Sequence, residues 1–206
     1  MRPRSCEPYG GKVIVSSNPP NSRGAWVFVV GPSGAGKDTV IEQARQALKD
    51  NDLIRFARRV VTRPQNEFED HDTLFLDQFE EQKRRGKFVL WWQAHQLHYG
   101  IGQEWQDQVV NGRTVVCNVS RTILPDIEHR VTGRTRVVLV TAPPELLAER
   151  IAARGRDSTQ GSRTKRNQDG PVRATADLII ENTGTPEQAG EAFVRFLTSP
   201  DLTMAP

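Results

Sequence analysis

The chain has 206 residues, the size of one ordinary domain, and its 28 basic against 25 acidic residues give a formal charge of only +3. This charge argues against a large nucleic-acid surface, no apolar run approaches the roughly 20 residues of a membrane span, and the N-terminus lacks the apolar stretch of a secretory signal. The basic residues are 22 arginines and 6 lysines, a split that fits bidentate phosphate binding and fits the coding bias of a GC-rich genome equally well.

Apolar strands and amphipathic helices alternate along most of the chain. Residues 1–24 carry prolines and glycines with little apolar content, which predicts a disordered extension before a folded domain over 25–200. The run Ala25–Val30 is typical of a strand buried on both faces, and a glycine-rich turn leads to a predicted helix over 39–49. Further strands are predicted over 113–119, 135–141 and 177–181, and further helices over 122–130, from 143 onward and over 185–197. Strands separated by helices predict an α/β fold, a parallel sheet with helices on both faces.

Two segments interrupt this alternation. Residues 55–105 are mixed and rich in aromatic side chains, and we interpret them as a lobe inserted between core elements. Within the lobe the pattern predicts a strand over 55–61, a helix over 77–85 and a strand over 88–92, with Phe88, Trp91 and Trp92 in its core. Residues 154–173 are polar and rich in arginine, which predicts a mobile loop.

A phosphate-binding loop follows the first predicted strand. Its residues, which match the pattern G-x-x-x-x-G-K, are Gly31, Pro32, Ser33, Gly34, Ala35, Gly36 and Lys37. The glycines allow successive backbone N–H groups to point at a phosphate, and the helix that follows adds the positive end of its dipole. Lys37 would reach the phosphates of a nucleotide and follow charge onto the transferred group. The loop, together with Asp38 and Thr39, is therefore predicted to bind a nucleoside triphosphate.

The residue after the lysine departs from the usual pattern. A Ser or Thr hydroxyl normally binds Mg²⁺ at this position, whereas this chain has Asp38 followed by Thr39. A carboxylate can ligate Mg²⁺ directly or through water, so Asp38 is a candidate metal ligand. The alternative is that Asp38 only stabilises the N-terminus of the helix, a position that suits aspartate.

Several short motifs, in order, resemble the guanylate kinase-like branch of the nucleoside-monophosphate kinases. The shared motifs are GPSGAGK at 31–37, Thr62-Arg63-Pro64, Phe79 followed by Gly86-Lys87-Phe88, Tyr99-Gly100, and Arg150 with Arg154-Gly155. They span about residues 25–197. The resemblance implies a P-loop NTPase fold, in which the lobe at 55–105 binds the phosphoryl acceptor and the loop at 154–173 closes as a lid.

The guanine-reading residues of that branch are missing. Leu90 and Ile101 occupy the positions that would contact guanine, and Asn66 stands where a second phosphate-binding arginine is expected. A buried guanine needs partners for its polar groups, and Leu90 and Ile101 offer none. Asn118 also replaces an acidic residue at the end of a predicted strand. These departures argue against guanosine monophosphate as the acceptor.

The chain resembles the ribose 1,5-bisphosphate phosphokinase family more closely. The shared features are Asp38 after Lys37, the pattern Arg59-x-x-Thr62-Arg63, the turn Tyr99-Gly100-Ile101-Gly102, and Asn118. The resemblance implies that ATP, with Mg²⁺, donates its γ-phosphoryl group to the 1-phosphate of ribose 1,5-bisphosphate, giving 5-phospho-α-D-ribose 1-diphosphate (PRPP). It also implies a link to phosphonate breakdown. An acceptor phosphate is already an anion near neutral pH, so this reaction calls for cations and alignment.

The acceptor-binding residues follow from this resemblance. Arg59 and Arg63 are strand-like positions on one side, four residues apart, and would clamp a phosphate, with a solvated basic edge as the alternative. The other predicted substrate-binding residues are Thr62, Tyr99, Asn118, Arg163 and Arg166. His71 and Asp72 belong to an acidic loop, where contacts with magnesium or ribose hydroxyls compete with plain solvation.

Arginines at the end of the helix that begins near 143 are candidate catalytic residues. Arg150 and Arg154 are one helical turn apart and share a face. In the kinases that this chain resembles, such arginines swing over the nucleotide, and together with Lys37 they would stabilise charge on the transferring group. The alternative is that they only complement the helix dipole.

Three functions remain after these steps. A ribose bisphosphate kinase is favoured, a nucleoside-monophosphate kinase with altered base preference is the alternative, and a non-catalytic binding module is disfavoured by the intact loop and Lys37. Cys6 and Cys117 form neither a metal-binding pair nor a disulfide framework, so a cytoplasmic location is expected. The expected partner is a small sugar phosphate, with no nucleic acid and no membrane, and the sequence does not decide whether the protein forms a homodimer.

Overall fold

A parallel five-stranded sheet runs through the centre of the computed structural model, which describes residues 24–64, 71–153 and 169–203. In spatial order its strands are β2 (Ile54–Phe56), β7 (Thr114–Asn118), β1 (Ala25–Val30), β8 (Arg134–Thr141) and β9 (Leu178–Glu181). Strand β1 pairs in parallel with both β7 and β8, and all six of its residues are buried. Burial on both faces explains why this strand is apolar without alternation.

Helices cover both faces of this sheet. One face carries α1 (Lys37–Ala47), α7 (Pro186–Leu197) and the short α8 (Pro200–Thr203), which bury Val40, Phe193 and Leu202 against Val27 and Val29 of β1. The opposite face carries α3 (Gln103–Val110), a 3₁₀ helix (Arg121–Asp126) and α4 (Ile127–Arg130), which pack against the other side of β1. Two further helices are α5 (Pro144–Ala153) and α6 (Asp169–Thr175). The predicted parallel α/β fold is confirmed.

Local sequence signals account for the start of α7. The Thr185 hydroxyl accepts a hydrogen bond from the backbone N–H of Gln188 at 3.4 Å, and the Gln188 side chain accepts from the N–H of Thr185 at 3.2 Å. Pro186 occupies the first helical turn, where its missing N–H has no cost. None of the described helices combines the length and the apolar character required to cross a membrane.

A second sheet forms the inserted lobe. Its strands, in spatial order, are β4 (His71–Thr73), β3 (Arg59–Val61), β6 (Leu97–Gly102) and β5 (Phe88–Ala94), and α2 (Leu76–Arg84) packs on it through the buried Phe79. Strands β3 and β4 are parallel, whereas β6 is antiparallel to both β3 and β5. Leu90, Trp92 and Ile101 of this sheet join the core that covers one face of the central sheet.

The structure corrects four details of the predicted elements. The strand expected over 55–61 is two strands in different sheets, β2 and β3, separated by Ala57 and Arg58. The acidic loop, for which plain solvation was one of two alternatives, contains β4, in which His71 is buried. Trp91 is 41% exposed rather than in the lobe core, because alternate residues of an edge strand face solvent. Residues 169–173 of the expected loop belong to α6. Of the disordered extension expected over 1–24, Gly24 is buried in the fold, and residues 1–23 lie outside the described residues, as do 65–70 and 154–168.

Candidate active site

The phosphate loop joins the carboxyl end of β1 to the first turn of α1. Lys37 is the first residue of α1, and its Nζ donates hydrogen bonds to the carbonyl oxygens of Gly31 and Pro32, each at 3.0 Å. The ammonium group therefore lies across the concave side of its own loop, at the N-terminal end of the helix dipole. This arrangement concentrates positive charge where the sequence predicted a bound triphosphate.

Gly36 adopts a backbone conformation and fills a space that both disfavour a larger residue. Its φ of 86° lies in the left-handed region, and a Cβ there would overlap Nδ2 of Asn182. That same Nδ2 donates a buried hydrogen bond of 2.8 Å to the carbonyl oxygen of Ala35. Asn182 follows the last residue of β9, so the carboxyl edge of the sheet holds the phosphate loop from behind. Sequence reasoning missed Asn182, although a polar residue directly after a predicted strand was an available signal.

Three predicted residues from distant parts of the chain meet at Asp38. The Asn118 side chain donates a hydrogen bond of 2.7 Å from Nδ2 to Oδ1 of Asp38, and Nη2 of Arg59 lies 3.5 Å from the same oxygen. Asn118 ends β7 and Arg59 begins β3, so the contact connects α1, the central sheet and the lobe. The Arg59 side chain is only 12% exposed, which makes this ion pair less screened than a surface pair.

Both alternatives for Asp38, metal ligand and stabiliser of the helix N-terminus, stay open. The N-cap residue of α1 is Gly36, and no side chain makes a capping hydrogen bond there. Asp38 lies in the first turn, where the dipole favours its charge, but its carboxylate is directed to Asn118 and Arg59. Within the described residues no group of three or more His, Cys, Asp or Glu side chains could hold a metal ion. A magnesium ion here would therefore depend on Asp38 together with water and phosphate oxygens, which is its usual coordination in kinases.

One face of the lobe sheet is directed towards this cluster. Arg59 is the parallel neighbour of His71, and Val61 is the antiparallel neighbour of Tyr99, so these side chains lie on the same face of the sheet. Tyr99 stacks on Trp92 with ring centroids 5.3 Å apart, which fixes the orientation of its ring. Sequence reasoning selected Tyr99 and Arg59 on this face, and it left His71 open between contacts with magnesium or ribose hydroxyls and plain solvation.

Thr62 and Arg63 continue from β3. The Thr62 hydroxyl accepts a hydrogen bond of 2.9 Å from the backbone N–H of His98, and its own N–H donates to the His98 carbonyl oxygen at 3.1 Å. Thr62 therefore extends the pairing between β3 and β6. The carbonyl oxygen of Arg63 accepts a hydrogen bond of 3.0 Å from the Thr73 hydroxyl, which ties the next residue to β4. The predicted roles of both side chains in acceptor binding stay predictions.

Helix α5 contacts the phosphate loop from the other side. The position of a Cβ on Gly34 would lie 3.0 Å from the Leu147 carbonyl oxygen and 3.1 Å from Cγ1 of Ile151. Arg150 lies between these two residues in sequence, and its buried Nη1 has no hydrogen-bond partner among the residues that the structure describes. A buried guanidinium nitrogen without a described partner is compatible with an anionic ligand, and the catalytic role of Arg150 stays a prediction. Arg154, Arg163 and Arg166 lie outside the described residues.

Cys117 lies directly before Asn118 and is fully buried. Burial raises the pKa of its thiol well above the ordinary value, and the nearby Arg59 guanidinium opposes this effect more weakly. The thiol is therefore protonated near neutral pH and serves as a small apolar group in the core.

The chain is similar to curated proteins named ribose 1,5-bisphosphate phosphokinase PhnN. The one from Methylobacterium radiotolerans is 45% identical over 175 residues, which cover 84% of this chain and 97% of the relative. The one from Brucella melitensis biotype 2 is 40% identical over 178 residues, which cover 85% of this chain and 92% of the relative. No protein-family model matches the chain.

Among solved structures, the chain is similar to the guanylate kinase from Anaplasma phagocytophilum. The TM-score is 0.62 at 15% sequence identity, and the match covers 86% of each chain. At this identity the likeness concerns the fold, and it confirms the predicted P-loop kinase fold.

Proposed function

The chain belongs to the ribose 1,5-bisphosphate phosphokinase family, and on this premise we propose that it transfers the γ-phosphoryl group of ATP to the 1-phosphate of ribose 1,5-bisphosphate. The products are PRPP and ADP. An oxygen of the 1-phosphate forms the new bond to the γ-phosphorus as the bond from that phosphorus to the β,γ-bridging oxygen breaks. No proton has to be removed from the acceptor, because the attacking oxygen is already anionic.

The observation that carries this proposal is the convergence of Asp38, Arg59 and Asn118. It connects the helix behind the phosphate loop with the first strand of the lobe, through contacts of 2.7 and 3.5 Å. A donor held by the loop and an acceptor held by the lobe would then share one polar cluster, as in-line transfer between two anions requires. Leu90 and Ile101 are fully buried in the apolar core, so neither is available to read a base.

The chain's own residues supply most of the electrostatic stabilisation in this scheme. Backbone N–H groups of the phosphate loop, apart from Pro32, which has none, would hold the β- and γ-phosphates together with the Lys37 ammonium. Nη1 of Arg150, which has no partner among the described residues, would pair with charge that develops on the transferring group. Arg59 and Arg63 would bind the acceptor phosphates, and Tyr99 would border the sugar. Asp38, with Asn118 orienting its carboxylate, would hold Mg²⁺, which when bound neutralises charge on the phosphates.

The test supplies the purified protein with ATP, Mg²⁺ and either ribose 1,5-bisphosphate or guanosine monophosphate, and follows the products by phosphorus NMR. We expect PRPP from the first acceptor and no reaction with the second. The Lys37→Ala variant should lose at least about 100-fold in kcat, since it removes a cation from the transferring phosphates. Lys49→Ala, which changes an exposed lysine just beyond α1, is the matched control and should retain full activity. Phosphorylation of guanosine monophosphate without any PRPP would instead favour the nucleoside-monophosphate kinase.

A further inference from the structure

His71 is buried beside the proposed acceptor site, and one of its two ring nitrogens makes no hydrogen bond with a described residue. Resting on the proposed function, we propose that Nε2 of His71 accepts a hydrogen bond from a ribose hydroxyl of the acceptor. His71 would thereby select a ribose bisphosphate over its deoxy analogues. The residue is only 1% exposed, and its Nε2 has no hydrogen-bond partner among the residues that the structure describes. Buried polar atoms are nearly always hydrogen-bonded, so an unused one beside a ligand site points to the ligand.

The hydrogen bond at the other ring nitrogen determines what Nε2 can do. Nδ1 of His71 lies 3.2 Å from the carbonyl oxygen of Asp72. Because a carbonyl oxygen only accepts, Nδ1 must carry the hydrogen of this bond. In the neutral imidazole Nε2 is then a lone-pair acceptor, and its partner must be a donor. A hydroxyl group meets this requirement, whereas an ionised phosphate oxygen does not.

The position of the ring agrees with a sugar contact. His71 is the parallel neighbour of Arg59 across β3 and β4, so both side chains project from the same face of the lobe sheet. Arg59 reaches from this face to Asp38 at 3.5 Å, which places the start of β3 next to the phosphate loop. The cations proposed to bind the two acceptor phosphates are arginines, and His71 contributes a hydrogen-bond acceptor on the same face. The part of a ribose bisphosphate that needs such a group is its hydroxyl-bearing ring.

Two substitutions separate a ligand contact from a structural role. In His71→Asn the amide nitrogen can replace Nδ1 and keep the bond to Asp72, but nothing replaces Nε2. In His71→Gln the amide reaches the Nε2 position, but the bond to Asp72 is lost. We expect His71→Asn to raise the KM for ribose 1,5-bisphosphate about tenfold with little change in the KM for ATP, and His71→Gln to stay within about threefold of the natural enzyme. The reverse order, with Gln the more damaging, would assign His71 a purely structural role and overturn the inference.

The acceptor panel adds 2-deoxyribose and 3-deoxyribose 1,5-bisphosphates. In the natural enzyme, removal of the contacted hydroxyl should lower kcat/KM about tenfold, and in His71→Asn the same removal should cost less than about threefold. Equal penalties for both deoxy acceptors in the two enzymes would overturn the inference, and would fit a protonated ring that binds phosphate. A natural enzyme that makes no PRPP from ribose 1,5-bisphosphate would overturn the proposed function itself, so the two failures are distinguishable.

Discussion

Substitution of Gly36 and Asn182, singly and together, tests how the sheet holds the phosphate loop. In Gly36→Ala the new Cβ overlaps Nδ2 of Asn182, and the only described atoms within 4 Å of it, outside its chain neighbours, belong to Asn182. The Asn182 amide must therefore move and release its 2.8 Å hydrogen bond to Ala35. Asn182→Ala breaks the same hydrogen bond directly. Both variants should therefore lose the same hydrogen bond between Asn182 and Ala35.

The structure gives the size of each effect. Alanine at the left-handed φ of 86° costs about 1–2 kcal/mol. Loss of the donor leaves the Ala35 carbonyl buried and unsatisfied, which costs about 1–3 kcal/mol. Gly36→Ala should incur both costs, and Asn182→Ala only the second. Because the hydrogen bond can be lost only once, the double variant should be as stable as Gly36→Ala alone, with a coupling of about 1–3 kcal/mol.

Urea denaturation of the four proteins measures the free energy of unfolding of each. Asn111→Ala, which removes an exposed asparagine beyond α3, is the control and should change this free energy by less than about 0.5 kcal/mol. Additivity of the two single effects within about 0.5 kcal/mol would refute the shared hydrogen bond. The KM for ATP should also rise in Asn182→Ala, since the loop loses its support from β9.

Two more predictions concern residues around this loop. Asp38→Asn keeps an oxygen for Asn118 but removes the charge, so the Mg²⁺ concentration that gives half-maximal activity should rise at least about fivefold; an unchanged Mg²⁺ requirement would exclude Asp38 as the ligand. Burial raises the pKa of Cys117, so the unfolded chain loses this proton at lower pH than the folded chain, and stability falls as the pH rises above about 9. In a Cys6→Ser background, Cys117→Ala should make the decline in the free energy of unfolding between about pH 7 and 10 shallower, whereas an equal decline would contradict the raised pKa.

The central sheet was predictable because burial on both faces requires a continuous run of apolar residues, which is visible in the sequence. Strand β1 was predicted with its observed bounds, since a strand enclosed by two layers of helices needs apolar residues throughout. The helices were predicted within a few residues where apolar side chains recur at helical spacing, as in α1 and α7. These patterns depend on solvent exposure alone, so one sequence is enough to read them.

The lobe was harder to predict because its strands are short and held by partners far away in sequence. Strand β4 is three residues long and polar, and its pairing with β3 and the 2.9 Å ion pair between Arg58 and Asp72 position it. Strand β6 contains two glycines, which locally favour a turn over a strand. The need for glycine at position 100 becomes visible only in the fold, because a Cβ there would crowd the Phe88 ring.

The candidate site also contains a part that was predictable from sequence and a part that was not. The phosphate loop was predictable because its residues are contiguous and their spacing carries the chemistry. The roles of Asp38, Arg59 and Asn118 were suggested separately, but their meeting at one carboxylate oxygen depends on the carboxyl end of β7 lying beside α1. Asn182 was missed and His71 was left undecided, because a single polar residue carries no motif and its importance comes from what surrounds it.

The crossing from one sheet to the other has a consequence for engineering. Only Ala57 and Arg58 separate β2 from β3, and the lobe returns from β6 at Gly102 directly into α3. The N–H of Ala57 is bonded to the Val116 carbonyl oxygen at 2.8 Å, so the entry point is fixed to the central sheet. A lobe transplanted from a related kinase between residues 59 and 102 would join the chain at Arg58, beside the bonded Ala57, and at Gln103, the first residue of α3. If the graft begins with an arginine at 59, the recipient keeps its link to Asp38. On the proposed function, such an exchange would transfer acceptor preference, and the graft would also have to replace the apolar side chains that Leu90, Trp92 and Ile101 contribute to the core on the central sheet.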